Sequence, residues 1–138
     1  MKLSYLFFSQ EWAQCAIDNV NADKVFFKAS QGFDSSFLFT VYPDPARGVK
    51  ENLYVFNQLS KGKAGGVEAG VEKDADMKIA GSYDVWKEVV EGNKDPIKAI
   101  MNKELVFEGD LKKVMKYMKA VKLLMDNVQK VPTEWHTK

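Results

Sequence analysis

Phe33-Asp34-Ser35-Ser36-Phe37-Leu38-Phe39-Thr40-Val41-Tyr42-Pro43-Asp44-Pro45 is the stretch that decides the class of fold. Phe37, Phe39 and Val41 alternate with Leu38, Thr40 and Tyr42, the period of two that belongs to a strand, and Pro43-Asp44-Pro45 ends it in a turn. The same period returns in Asn52–Ser60, where Leu53, Val55 and Leu59 face one way and Tyr54 and Phe56 the other. Lys61-Gly62-Lys63 follows as a turn. Ala64–Val71 is rich in glycine and short of large side chains, so it reads as a weaker edge strand. Met77–Ala80 and Leu105–Phe107 complete five predicted strands, near residues 33–42, 52–60, 64–72, 77–81 and 104–108.

On either side of these strands the period changes to that of a helix. Ser9 can cap a helix carrying Trp12, Ala13, Ala16, Ile17 and Val20 on one stripe, with Asn19 and Asn21 weakening its end. Asp23 starts a short helix that Gly32 stops. Ser82 or Tyr83 opens another through Val85, Trp86, Val89 and Val90, which Gly92 stops. Asp95-Pro96 is a cap followed by proline in the first turn, leading into Ile97, Ile100 and Met101. Asp110 caps the longest predicted helix, Leu111 to Val128, and Val131-Pro132 cannot continue it. Five strands with about five helices on one side give an α+β two-layer sandwich.

Its 138 residues form a single domain on the length prior, with 1–8 read as an N-terminal extension and 131–138 as a tail. Apolar residues make up 46% and charged residues 28%, a globular balance rather than a disordered one. A net charge of +1 argues against a dedicated nucleic-acid partner. No stretch without a charged residue exceeds nine positions, far short of the roughly 20 apolar residues of a spanning helix. The apolar start is too short for a signal peptide. One cysteine, Cys15, cannot form an internal disulfide, which favours the cytoplasm.

Catalytic chemistry finds little to work with. The one histidine, His136, falls in the tail and is expected to be solvated there. Cys15 has no histidine nearby in sequence and reads as a small buried hydrophobe. Asp74 and Asp76 lack the glycine and glutamate that a calcium loop requires, so they read as a solvated turn, and no metal is expected. Lys61–Gly66 has the composition of a phosphate cradle but no Gly-Lys followed by Ser or Thr; a hairpin turn is the better reading.

The last predicted helix stands apart. Leu111, Val114, Met115, Met118, Val121, Met125 and Val128 form an apolar stripe, and Lys112, Lys113, Lys116, Lys119 and Lys122 lie mostly opposite. Methionine suits surfaces that adapt to changing contents. A basic amphipathic helix also suits an anionic membrane surface, which makes Lys112, Lys116 and Lys119 candidate membrane contacts.

Gly81-Ser82-Tyr83-Asp84-Val85-Trp86, Gly92, Asp95-Pro96-Ile97-Lys98-Ala99-Ile100-Met101 and Leu105-Val106-Phe107-Glu108-Gly109-Asp110-Leu111 together resemble the sterol carrier protein type 2 family. The resemblance runs from about residue 9 to 135. It implies a five-stranded sheet with helices on one side and an apolar cavity between the layers. It further implies a hydrophobic ligand (fatty acid, fatty acyl thioester, sterol or phospholipid), no cofactor and no catalytic residues. On this reading Trp86, Ile100, Met101, Leu111, Met115 and Met118 are candidate ligand contacts, with Met115 and Met118 facing inward. Gly81, Gly92 and Gly109 are read as serving turns and helix ends. Lys103 departs from the family, which often has glycine there. The expected function is a non-enzymatic carrier, monomeric or homodimeric, that touches anionic membranes transiently. Two alternatives stay open: an enzyme acting on a lipid-like substrate, and an accessory or regulatory subunit whose own side chains fill its interior.

Overall fold

The computed structural model describes residues 3–137, so Met1 and Lys2 of the expected extension and Lys138 of the expected tail lie outside the described residues. In chain order the elements are β1 (Tyr5–Leu6), α1 (Gln10–Ala22), α2 (Lys24–Ala29), β2 (Ser35–Val41), a 3₁₀ turn (Pro45–Arg47), β3 (Leu53–Ser60), β4 (Lys63–Ala69) and β5 (Met77–Gly81). Then come α3 (Tyr83–Val90), α4 (Pro96–Met101), β6 (Leu105–Glu108), α5 (Leu111–Lys116), α6 (Met118–Gln129) and β7 (Thr133–Glu134). The main sheet has the order β4-β3-β2-β5-β6; β2 pairs with β5 in parallel and the other pairs are antiparallel.

Local chemistry sets these boundaries. The side chains of Ser9, Asp23, Ser82, Asp95 and Asp110 each accept from backbone N–H groups in the first turn of the helix that follows. The β3–β4 hairpin turns on Lys61 and Gly62, both at positive φ (52° and 80°), as a right-twisted two-residue hairpin requires. The glycine- and lysine-rich run therefore serves a hairpin. Asp76 ties β5 to β2: its carboxylate accepts from the Ser36 N–H at 3.2 Å, and its own N–H donates to Ser36 Oγ at 2.8 Å.

Edge strand β4 is covered by α1. The Asn21 side chain donates to the Ala64 carbonyl and accepts from its N–H, both at 2.8 Å. Gln10 does the same for the Val67 carbonyl (3.0 Å) and the Ala69 N–H (2.8 Å). Two helix amides thus occupy ladder positions that would otherwise be open.

Register puts one residue series on the helix-facing side: Phe37 opposite Asn57 and Met77, Phe39 opposite Val55 and Ile79, Ile79 opposite Phe107. On the other face Leu38 pairs with Phe56; both are buried but stand apart from the main core, and the Lys73 ammonium sits 4.5 Å over the Phe56 ring. Gly81 is needed for close approach rather than for positive φ, because a Cβ there would lie 2.5 Å from Leu105 Cδ2.

Three expectations change. The last helix is not continuous: the backbone breaks at Tyr117 (φ −109°, ψ 33°), so six α-helices are present among the described residues. The break shifts the buried stripe to Val114, Ala120 and Met125, and Met115 and Met118 turn outward. The chain ends are also packed. β1 pairs in parallel with β7, and Phe7 (1% exposed) touches the rings of Trp12, Tyr83 and Trp135 at 4.9–5.3 Å between centroids. Finally, His136 is not a solvated tail residue. Its Nδ1 lies 2.9 Å from the Tyr83 hydroxyl, and its backbone N–H donates to the same oxygen at 2.8 Å.

Candidate functional site: two apolar cavities and a surface groove

Two cavities lie between sheet and helices. The first, about 60 Å³, is bounded by Phe37, Ile79, Leu105 and Phe107 of the sheet and by Ile97, Ile100, Val114, Ala120 and Val121 of the helices. The second, about 50 Å³, lies against α1, with Trp12, Ala16 and Val20 facing Val55, Val90 and Val128. Phe39, Asn57, Trp86, Leu124 and Met125 line both, so these five side chains form the partition. An apolar protein cavity of roughly 150 Å³ holds one benzene. Each of these is far smaller, so a long chain enters only if the partition moves. Met125 and Leu124 are its flexible members, whereas Trp86 is held by its Nε1–H donating to the Thr40 carbonyl at 2.9 Å.

Among the described residues, no ionisable side chain lines either cavity. Asn57, 6% exposed, is a polar side chain in both linings that makes no side-chain hydrogen bond to a described residue. Outside, an open groove of about 490 Å³ runs between the Gly92–Ile97 segment and α6. Pro96, Ile97, Val121 and Met125 line both this groove and the first cavity, and so form a wall shared by the two.

Of the sequence-derived candidates, the structure brings Trp86 and Ile100 to the cavity wall and not the other four. Met101 (58% exposed), Leu111 (37%) and Met115 (39%) are surface residues, and Met118 (44%) lines the groove. The break at Tyr117 separates α5, which carries Leu111 and Met115, from α6, which carries Met118, whereas Met101 is simply the last, outward residue of α4. Lys112, Lys116 and Lys119 are exposed. Phe37, Phe39, Ile79, Phe107, Leu124 and Asn57 were missed. For the five strand residues the signal was the period of two, which marks a shared face without marking space in front of it; Leu124, on α6, lay outside the apolar stripe read from the sequence.

The reactive side chains stand away from the cavities. Burial, and secondarily the Asp18 carboxylate, pushes the Cys15 thiol above its ordinary pKa, away from the reactive thiolate. His136 is engaged with Tyr83. No group of three or more His, Cys, Asp or Glu residues among the described ones is placed to hold a metal ion, and no described helix is long and apolar enough to cross a membrane.

Among solved structures, a crystal structure of sterol carrier protein 2 superposes with a TM-score of 0.85 at 28% identity, covering 91% of this chain and 98% of that one. A conserved hypothetical protein from Thermus thermophilus gives 0.86 at 28%, covering 95% and 94%. The apo form of sterol carrier protein 2 from Yarrowia lipolytica gives 0.60 at 19% identity, covering 94% and 99%, a likeness of fold alone. No curated protein matches the sequence. The family model for SCP-2 sterol transfer matches residues 46–122, more than half of the 138, and so spans β3 through most of the helical layer around the first cavity. The chain belongs to the SCP-2 sterol transfer family.

Proposed function

We propose that the protein is a non-catalytic carrier. It takes a fatty acid, fatty acyl thioester, sterol-like molecule or phospholipid into the interior between sheet and helices. The observation that carries this reading is the four-residue wall of Pro96, Ile97, Val121 and Met125, which has the apolar cavity on one side and the open groove on the other. An apolar chain entering there moves Met125 and Leu124 and joins the two cavities. Trp86 and Ile100 then contact it, and Lys119 and Lys122 stand beside a polar head left outside, in the groove whose edge Met118 lines. Lys112, Lys116 and Lys119 meet an anionic membrane, where each basic residue is worth about 1 kcal/mol. The single cysteine favours a cytoplasmic location.

Titration of the whole protein with a fluorescent long-chain fatty acid tests the reading. Micromolar binding corresponds to about −8 kcal/mol, within reach of an alkyl chain at ~0.8 kcal/mol per buried CH₂ after association costs. Saturation in the low micromolar range is expected. A signal still linear at about 100 μM overturns the carrier reading and leaves the accessory-subunit one.

A further inference from the structure

We infer that Asn57 is a ligand-binding residue that hydrogen-bonds a neutral oxygen — a hydroxyl, ketone or ester carbonyl — within the apolar body of the ligand. This rests on the carrier reading. Asn57 sits mid-strand on β3, on the same inward face as Val55 and Leu59 and opposite Phe37. The β3–β4 register shifts between Phe56 and Gln58, so no β4 residue pairs with Asn57, a distortion of the kind that re-aims a side chain. The residue is 6% exposed and lines both cavities, in the partition between them. Its side-chain amide makes no hydrogen bond to a described residue and opens onto the cavity space. An unmet amide in apolar surroundings costs free energy that leucine or valine would avoid.

The surroundings specify the partner. No charged side chain among the described residues lines either cavity, so a carboxylate or phosphate there would lack a counter-charge from them. A plain hydrocarbon would leave the amide unmet. A carboxamide donates and accepts, so it meets a hydroxyl or a carbonyl equally well.

The test compares the wild type with the near-isosteric Asn57→Leu by displacement of a fluorescent fatty acid. The competitors are octadecanoic acid and the series of oxo-octadecanoic acids whose ketone steps along the chain. Octadecanoic acid is expected to bind Asn57→Leu at least as tightly as wild type. One or two neighbouring oxo-isomers should bind the variant about five- to tenfold more weakly than wild type, the range of one neutral hydrogen bond. The same wild-type-to-variant ratio across the whole series overturns the inference while leaving the carrier reading intact. Failure of octadecanoic acid to displace the probe from either protein overturns both. Two measurements guard against a misfolded variant. Asn57→Leu should melt at or above the wild-type temperature; a melt several degrees lower would show that the amide is structural and overturn the inference. In the wild type, the Asn57 side-chain NH₂ resonances should shift with the favoured oxo-isomer and not with octadecanoic acid; equal shifts with both also overturn it.

Discussion

Tyr117 lies flat on Phe33, ring centroids 4.8 Å apart and planes 8° from parallel. The helix breaks at the residue that makes this contact, and the Tyr117 hydroxyl reaches over Gly32, where an added Cβ would stand 2.7 Å from it. Gly32 itself is at φ +85°. Gly32→Ala is therefore expected to destabilise twice over: about 1–2 kcal/mol for a left-handed alanine, plus the displacement of Tyr117. In a Tyr117→Phe background the second part vanishes. Urea melts of the two single variants and the double variant check this, and strict additivity would refute it.

Lys103, two residues before β6, stands where the resemblance leads to an expectation of glycine. It sits at φ 64°. A lysine pays in backbone strain for a conformation that glycine adopts freely, partly offset by glycine's greater freedom in the unfolded chain. Lys103→Gly should raise stability by about 0.5–1 kcal/mol with no change in probe binding. A lower melting temperature would contradict this.

His136 gives the fold a pH dependence with a definite sign. Burial first, then the Arg47 charge, hold its pKa below the ordinary value, against a smaller opposing pull from Glu134. The Tyr83 hydroxyl already accepts the His136 N–H, so neutral Nδ1 can take its proton, whereas a protonated Nδ1 would aim a second donor at the same oxygen. The unfolded chain binds this proton more readily than the folded one. The stabilisation is thus present above the unfolded value of about 6.5 and is lost as pH falls through the depressed folded value. Thermal melts from pH 7.5 to 5 should show the advantage of wild type over His136→Gln shrinking as the solution is acidified. A constant difference would mean that another group is responsible.

Placement of the last two helices sets two tryptophan variants against each other. Met118 is 44% exposed in the groove, so Met118→Trp should change fatty-acid affinity by less than about twofold. Leu124 lies in the partition, so Leu124→Trp should fill space in both cavities and weaken binding by about 1–3 kcal/mol, the usual cost of overpacking. Fluorescent titration of both decides between them. The reverse order would return Met118 to the interior.

The strands were legible because alternation is local: the predicted runs agree with β2 through β6 to within a few residues. The helix starts were legible for the same reason, since Ser9, Asp23, Ser82, Asp95 and Asp110 act on N–H groups two or three residues away. What escaped depends on distant partners. Nothing near Tyr117 breaks a helix; the break coincides with a ring contact to Phe33. Asn21 looked like a weak helix end because its partner, Ala64, lies on another strand. Asn57 interrupts an apolar face in the sequence, but only the assembled layers show that space adjoins it. The lysine face needed no such partner, and Lys112, Lys116 and Lys119 are exposed.

The parallel pairing of Tyr5–Leu6 with Thr133–Glu134 also bears on how the protein is made. Sheet and helices can assemble once Gln129 has left the ribosome, yet Phe7 lacks one of its walls until Trp135 follows. The Phe7 ring must wait until residue 135 has been made, and closing so long a loop is the slow kind of folding step. A nascent chain stalled before residue 133 would hold a finished sheet and a greasy, unclosed N-terminus, the form most open to chaperones and to sticking.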